Sequence, residues 1–561
     1  MESSEDSCEA DNISKTSVVD TSSRDSTLIE VLWPSIWWAV GLLIMGWPTF
    51  SSAFRMVQGG LGDSRLVNFS LEHSYRWLMG MPLAENLWSP PIFFPVQNVA
   101  TYTDLMLGVA PFYWVWRWLG CDPHTAFQAW MLSCWTLNFV ACYLLLRHGL
   151  RISAIGSSLG AYLFAFGNPQ GMSVAHQQLG PLFWLVLTLA GLIMMFRQPE
   201  TPSPARRWTA SVAVWGGLVA QLYTAVYPLA FFTLGLAVGT VVALAVRSLR
   251  EAFFDALKRH LVPLLVVTVI AVALATPITA RYQATAATIG MLKQKQIHLP
   301  KPLGWFLPGN SNRVYRKWQR AMGLGVYRSN SQANGFGVVT LMVCGAGLWL
   351  GRRRREVWLV VAGTVGLAFL TITFPGGWSP WWVVREVVPG MAALRAVGRV
   401  GLMVLFPAAL GLAIAVDRLA AGRRWIVAAA LILCVVAEQA QRRPTFDKAA
   451  AVARVHRIAS YVPADAETFL LVLDGPSWDK EHVRDDAAWV ALAAGVPTVN
   501  GRYGHSPRGY PFRKPWIRQP SDRRALAAEL EAWAAAHDLD PGTAAMIEVS
   551  PRPPRDRGRR R

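Results

Sequence analysis

"LWPSIWWAVGLLIMGWPTFSSAFRMVQGGLGDSRLVNFSLEHSYRW" occupies residues 32–77. Its first half is an apolar, Trp-rich run over 31–50, matching the ~20 residues a helix needs to cross a hydrocarbon layer ~30 Å thick. Its second half turns polar, with Asp63 and Glu72 set among Arg65, His73 and Arg76. The first half predicts a membrane span and the second a polar segment at the mouth of that span. Whether the segment is a solvated loop or a reactive surface depends on what else shares its side of the bilayer.

Further apolar runs lie near 125–146, 152–167, 180–196, 208–224, 226–246, 261–280, 335–351, 356–374, 399–416 and 424–439. The chain is 53% hydrophobic and only 16% charged, against about 25% charged residues in ordinary soluble domains. The expected fold class is an all-α polytopic membrane protein with about eleven transmembrane helices. The run at 102–119 contains Pro111 and Arg117 and is expected to lie on the membrane surface or re-enter rather than cross. Residues 1–30 are Ser-rich and acidic, which predicts a disordered cytoplasmic tail and not a signal peptide. The six cysteines form no CxxC pair, so neither a disulfide framework nor a zinc site is supported.

Short connections rich in arginine are expected in the cytoplasm. They read "RHGLR", "RQPETPSPARR", "RSLREAFFDALKRH", "RRRR" and "DRLAAGRR", each two runs from the next. The alternate connections then face outward: a first loop over 51–124, "GNPQGMSVAHQQLG", "LYTAVYP", a second long loop over 281–334, and the stretch before 399. Segment 281–334 holds Arg281, Lys301, Arg313, Arg316 and further bases but no acid, and an anionic ligand would account for that composition. Residues 441–561 contain no span. There "ETFLLVLDGPSW" reads as a buried strand, "AAWVALAAGVPTVNG" as a helix ended by Gly and followed by a short strand, and "RALAAELEAWAAAH" as an amphipathic helix. A small α/β C-terminal extracytoplasmic domain with a basic tail is expected, after a transmembrane domain over 31–440. The net charge of +19 suits anionic lipid headgroups or phosphates, and no nucleic-acid partner is expected.

The outward loops collect the candidate chemistry. Asp63, Glu72 and Asp104 are the candidate catalytic carboxylates, since a carboxylate can take the proton of an acceptor hydroxyl. Arg65, His73, Tyr102, His176, Gln177, Arg395 and Arg399 are the candidate substrate-binding set, the arginines for a phosphate oxygen. Each has a plainer reading. Asp63 could cap the helix that follows, and Asp104 could likewise be a cap. Glu72 and Arg76 could be a surface i,i+4 pair. The histidines could be merely interfacial, and Arg395 and Arg399 could be topology anchors.

The motifs "GDSRLVNFSLEH", "SPPIFFPVQNVATYTD", "AHQQLGPLFW", "LRAVGRVGLM" and "GVPTVNGRYGHSPRGY" resemble one bacterial branch of the GT-C class, over nearly all of the chain after residue 30. That class comprises integral-membrane glycosyltransferases using polyprenyl-phosphate-linked sugars. The resemblance implies a multi-pass protein of the bacterial inner membrane, transferring a sugar from such a donor to a glycan or lipid acceptor on the outer face. It implies that Asp63 is the first-loop catalytic acid or base. Ser64 stands where many relatives have a second acid, so Glu72 or Asp104 would supply that carboxylate. No cofactor is fixed by the resemblance, although some members use a divalent metal ion. Two non-enzymatic roles compete: a flippase for a lipid-linked glycan, or a scaffold in envelope-polysaccharide assembly that has lost catalysis.

Overall fold

The computed structural model describes residues 10–172, 176–197, 202–289, 297–324, 332–475 and 482–551. Lys293, Lys295, Arg328 and the basic run after 554 therefore lie outside the described residues. Helix α1 (Ala10–Phe50) contains the first apolar run, Ile29–Phe50. Helix α2 (Asp63–Leu78) carries the polar motif. Helix α3 (Ala110–Trp118) has nine residues, about 14 Å of rise, far short of a crossing. Helix α4 (Pro123–Leu144) starts where the Asp122 side chain accepts from the amides of His124 and Thr125, with Pro123 at the first helical position. Helix α5 (Ala154–Phe166) is capped by Ser153.

Among the described residues six helices are long and apolar enough to cross a membrane: Ile29–Phe50, Pro123–Gly149, Gln177–Phe196, Val226–Ala245, Arg247–Ile289 and Val397–Ala421. Arg355–Thr371 and Pro375–Val387, bent by 84°, make a seventh when taken as one broken span. The expectation of eleven separate spans is not matched by eleven such helices among the described residues, because several apolar runs form shorter helices such as Val338–Leu350 and Trp425–Glu438. The 43 residues of Arg247–Ile289 form one helix, about 65 Å long. It absorbs the basic connection "RSLREAFFDALKRH" and the first nine residues of the expected 281–334 loop. On this helix Val262, Leu265, Val269, Ile270, Val272 and Leu274 are exposed. Lipid accommodates such a surface and water does not. The molecule is a multi-pass helical membrane protein.

Small residues bring the helices close. A Cβ on Gly156 or Gly160 of α5 would sit 2.6 or 2.7 Å from the carbonyls of Ala413 and Ala409, so the four-residue spacing of glycine lets α5 meet Leu405–Ala421 backbone to backbone.

The two ends of the bundle differ in chemistry. At one end the short basic connections meet one another. Arg147 donates to Glu30 at 3.0 Å, Arg197 pairs with Glu356 and donates to the Gly149 carbonyl at 2.6 Å, and Arg354 reaches the Leu150 carbonyl at 3.3 Å. At the other end β1 (Met56–Gln58) pairs antiparallel with β2 (Thr445–Asp447). Strand β3 (Thr468–Asp474) lies between β4 (Trp516–Ile517) and β5 (Ala544–Val549) in a parallel sheet. Its unbroken "TFLLVL" run is buried throughout, as a parallel strand covered on both faces requires. Helix Val483–Ala494 ends at Gly495 in the left-handed conformation, φ 73°. The short strand expected next is only an isolated bridge, Phe469 to Thr498.

The first loop and the region after residue 440 share one core. Phe69, Ile92, Phe93 and Tyr102 pack in the same hydrophobic cluster as β3, Trp489 and Phe512. The amides of Phe93 and Phe94 donate to the carbonyls of Asn500 and Thr498 at 2.9 and 3.0 Å.

Candidate functional site

Asp63 is the first residue of α2, and its placement comes from the glycine-rich turn before it. Gly59 has φ 117°, and a Cβ there would lie 2.0 Å from Ser64 Oγ and 2.7 Å from Gln177 Nε2. The turn is fixed by Gly59 N–H donating to the Pro444 carbonyl at 2.8 Å, by Gly60 N–H donating to Ser64 Oγ at 3.1 Å, and by Gln177 Nε2 donating to the same hydroxyl at 2.8 Å. Gly62, not Asp63, is the residue that precedes the helix, and no side chain caps it. The Asp63 carboxylate is therefore not used as a cap. It sits in the first turn, where the helix dipole favours a negative charge.

Both of its oxygens are engaged. Arg502 Nη2 donates to Asp63 Oδ1 at 2.8 Å, and His176 Nδ1 lies 3.4 Å from Oδ2. The other end of the Arg502 guanidinium pairs with the buried Asp485. A Cβ on Gly62 would come within 2.6 Å of Arg502 Nη1, so glycine at 62 is what lets the guanidinium lie over the turn. The Asp63 side chain keeps 36% of its surface exposed and His176 keeps 29%, which leaves the carboxylate reachable from outside.

Basic groups surround this pair. His176 is pushed down to about 4 by burial and by the charges of Arg399, Arg502 and Arg395, with Asp63 opposing. His505 is pushed down to about 4 by burial and by Arg395. Both imidazoles are therefore neutral at pH 7. The Arg399 guanidinium lies 4.5 Å over the Tyr227 ring, and Tyr227 Oη accepts from the amides of Arg395 and Ala396 at 3.1 and 3.2 Å. The backbone of His298 braces the same turn, donating to the Arg395 carbonyl at 2.8 Å and accepting from Gly398 at 3.0 Å. Asp104 accepts from Val226 N–H at 2.9 Å. It is a cap, as one plain reading held, but of helix Val226–Ala245 and not of its own segment. Burial raises its pKa, while the Val226 amide, Arg399 and the Gln178 side chain work against that rise.

The structure gathers Asp63, Asp104, His176, Gln177, Arg395 and Arg399 into this region and sends the other candidates elsewhere. Glu72 lies nine residues along α2 from Asp63, about 14 Å of rise, and its side chain is 1% exposed. It accepts from Arg117 Nε at 2.8 Å, Arg117 Nη2 at 3.1 Å and Tyr113 Oη at 2.8 Å. Its contact with Arg76, at 3.4 Å, is the weakest of the set. It is a buried structural ion, neither a surface pair nor a partner for Asp63. Arg65 is fully buried against Asp486, which also takes Arg454. His73 is buried with Nε2 3.2 Å from the Asn86 and Leu87 carbonyls. Tyr102 is buried edge-on to Phe93.

Arg502, Asp485 and His505 are the members that sequence reasoning left unassigned. The motif "GVPTVNGRYGHSPRGY" contained two of them, but nothing in it indicates that position 502 meets position 63. Chemically, the arrangement offers an accessible carboxylate oriented by a guanidinium, a neutral imidazole beside it, and two further arginines nearby for an anion. Among the described residues no group of three or more His, Cys, Asp or Glu side chains could hold a metal ion.

No protein-family model and no curated protein sequence matches the chain. Solved structures similar to it include arabinofuranosyltransferase AftD from Mycobacteria, at 16% identity and TM-score 0.48, covering 90% of this chain and 33% of AftD. The chain thus spans about a third of the length of that protein. ArnT from Cupriavidus metallidurans in the apo state is similar at 16% identity and TM-score 0.44, covering 83% of this chain and 85% of ArnT. The same protein bound to undecaprenyl phosphate is similar at 14% identity and TM-score 0.41, covering 84% and 85%.

Proposed function

We propose that this protein is a membrane glycosyltransferase that moves a sugar from a polyprenyl-phosphate-linked donor to a hydroxyl of a glycan or lipid acceptor. The observation that carries the reading is Asp63: a half-exposed carboxylate at a helix start, clamped by Arg502, beside neutral His176, with Arg395 and Arg399 close by. In the proposed reaction Asp63 takes the acceptor proton as the acceptor oxygen bonds to the anomeric carbon. The bond from that carbon to the phosphate oxygen breaks on the opposite side, so configuration inverts. The phosphate leaves with the electron pair, held by Arg395 and Arg399. Arg502 fixes the carboxylate, and His176 and Gln177 line the sugar site. Arg65, Glu72, His73 and Tyr102 have no part in the proposed site, because burial commits them to the scaffold.

The proposed side is the outer face of the bacterial inner membrane. The basic short connections gather at the opposite end of the bundle, which the positive-inside rule assigns to the cytoplasm. Residues 441–561 would then form an extracytoplasmic region that packs on the first loop and helps select the acceptor. The competing scaffold role draws on one observation, that both Asp63 oxygens already have partners. Transfer from a polyprenyl-phosphate sugar by purified, folded protein decides between them. Asp63→Asn should lower turnover by about 10²–10⁴, the usual worth of general base catalysis. Unchanged turnover in that variant would remove Asp63 from the chemistry.

A further inference from the structure

A second cluster of arginines lies outside the Asp63 site and includes none of Asp63, His176, Arg395, Arg399 or Arg502; Pro444, whose carbonyl accepts from Gly59 of the Asp63 turn, is the residue that touches both. A cavity of about 340 Å³ is lined by Asn310, Ser311, Arg316, Arg442, Arg443 and Thr445, with Pro444 at its edge. No carboxylate lines it, and among the described residues none pairs with any of the three arginines. Arg443 Nη1 is buried without a hydrogen-bond partner. A guanidinium nitrogen buried without an acceptor is an unfavourable arrangement that folded proteins seldom keep without a reason. Burial pushes Arg443 down to about 9. Its guanidinium lies 6.0 Å from the Trp135 ring of α4, so one side of the cavity borders the spanning helices. Gly171 leaves the room it needs, since a Cβ there would meet Arg443 Nη2 at 2.8 Å.

The frame around the cavity is built. Arg442 N–H donates to the Ser311 carbonyl at 2.7 Å and Arg313 N–H to the Ala440 carbonyl at 2.9 Å. Asn312 Nδ2 donates to the Glu438 carbonyl at 2.6 Å, and Gln441 Nε2 to the Asn168 carbonyl at 2.9 Å. The Asn312 side-chain oxygen accepts from Val314 and Tyr315 at 2.9 Å each, which sets the start of the helix bearing Arg316. These bonds hold the loop that carries Arg316 against the loop that carries Arg442 and Arg443.

We propose that Arg316, Arg442 and Arg443 form a second anion site that takes a phosphate group, separate from the one assigned to Arg395 and Arg399. Guanidinium forks match phosphate oxygens in geometry as well as charge. Asn310 and Ser311 supply neutral polar groups at the same wall. The phosphate belongs either to a lipid headgroup entering beside Trp135 or to a water-soluble phosphorylated ligand.

The test is native mass spectrometry of the full chain in detergent, titrated in one arm with dioleoylphosphatidic acid and in the other with inorganic phosphate. Arg395→Gln/Arg399→Gln supplies a background without the other site. In that background one lipid or one phosphate should still bind. Adding Arg316→Gln/Arg442→Gln, at a half-buried and an exposed position, should weaken binding at least tenfold, as should Arg443→Gln. Binding of the lipid alone assigns the site to a headgroup, and binding of both probes in competition assigns it to phosphate itself. Either outcome supports the proposal. It is overturned if the Arg395→Gln/Arg399→Gln background binds neither probe, or if Arg316→Gln/Arg442→Gln leaves both affinities unchanged there.

Discussion

Glu72 and Asp63 occupy one helix, and the structure gives them opposite roles that stability measurements can separate. Glu72→Ala removes a carboxylate that is 1% exposed and strands the Tyr113 hydroxyl and the Arg117 guanidinium. Breaking a buried ion pair from one side costs roughly 3–5 kcal/mol. Arg117 is 17% exposed and keeps its bond to the Cys121 carbonyl, so the lower end of that range applies. Asp63→Asn alters a group that is 36% exposed, and exposed pairs are worth about 0–1 kcal/mol. The expected gap is therefore roughly 2–3 kcal/mol. The assay is maleimide modification of detergent-solubilised protein over a temperature ramp, since Cys134 and Cys142 in α4 are buried thiols that react only on unfolding. Glu72→Ala should expose them at clearly lower temperature than wild type, and Asp63→Asn close to wild type while losing transfer. If Glu72→Ala protects these thiols as well as wild type does, the assignment of Glu72 to the scaffold is wrong.

Other consequences follow from the same geometry. Gly62→Ala places a methyl 2.6 Å from Arg502 Nη1, so it should displace the guanidinium and reduce transfer with little loss of thermal stability; wild-type kinetics would show that Arg502 does not position Asp63. Stability should fall on acidification, because burial holds His73 at about 4 against an ordinary 6.5. Between those values the unfolded chain binds more protons, so His73's contribution is complete above about pH 6.5 and is lost as pH falls through 4. The loss amounts to about 3 kcal/mol by pH 4, with His176 and His505 acting in the same direction. A flat melting temperature from pH 7 to 4.5 would contradict this. Cysteines placed at the exposed positions Glu85 and Arg353, in a background without native cysteine, should label from opposite sides of the membrane, Glu85 from outside. Labelling from one side would overturn the assigned sidedness.

Hydropathy and charge are written residue by residue, so the sequence alone determined the membrane class, the polar collar after the first span and the grouping of the short basic connections. The placement of Asp63 at a helix start was also legible, because a glycine-rich turn before an amphipathic segment is a local signal. Helix lengths were less so: Arg247–Ile289 runs through two expected boundaries, since charge alone does not end a helix and the bilayer tolerates Pro263 and Pro277 within one. The partners of each charged side chain could not be read at all. Glu72, Arg65 and Asp63 look alike in sequence, as ionisable groups on one short helix. Only packing makes the first two buried structural ions and leaves the third open to solvent, and only the docking of the region after residue 440 on the first loop brings Arg502 across 439 residues to Asp63.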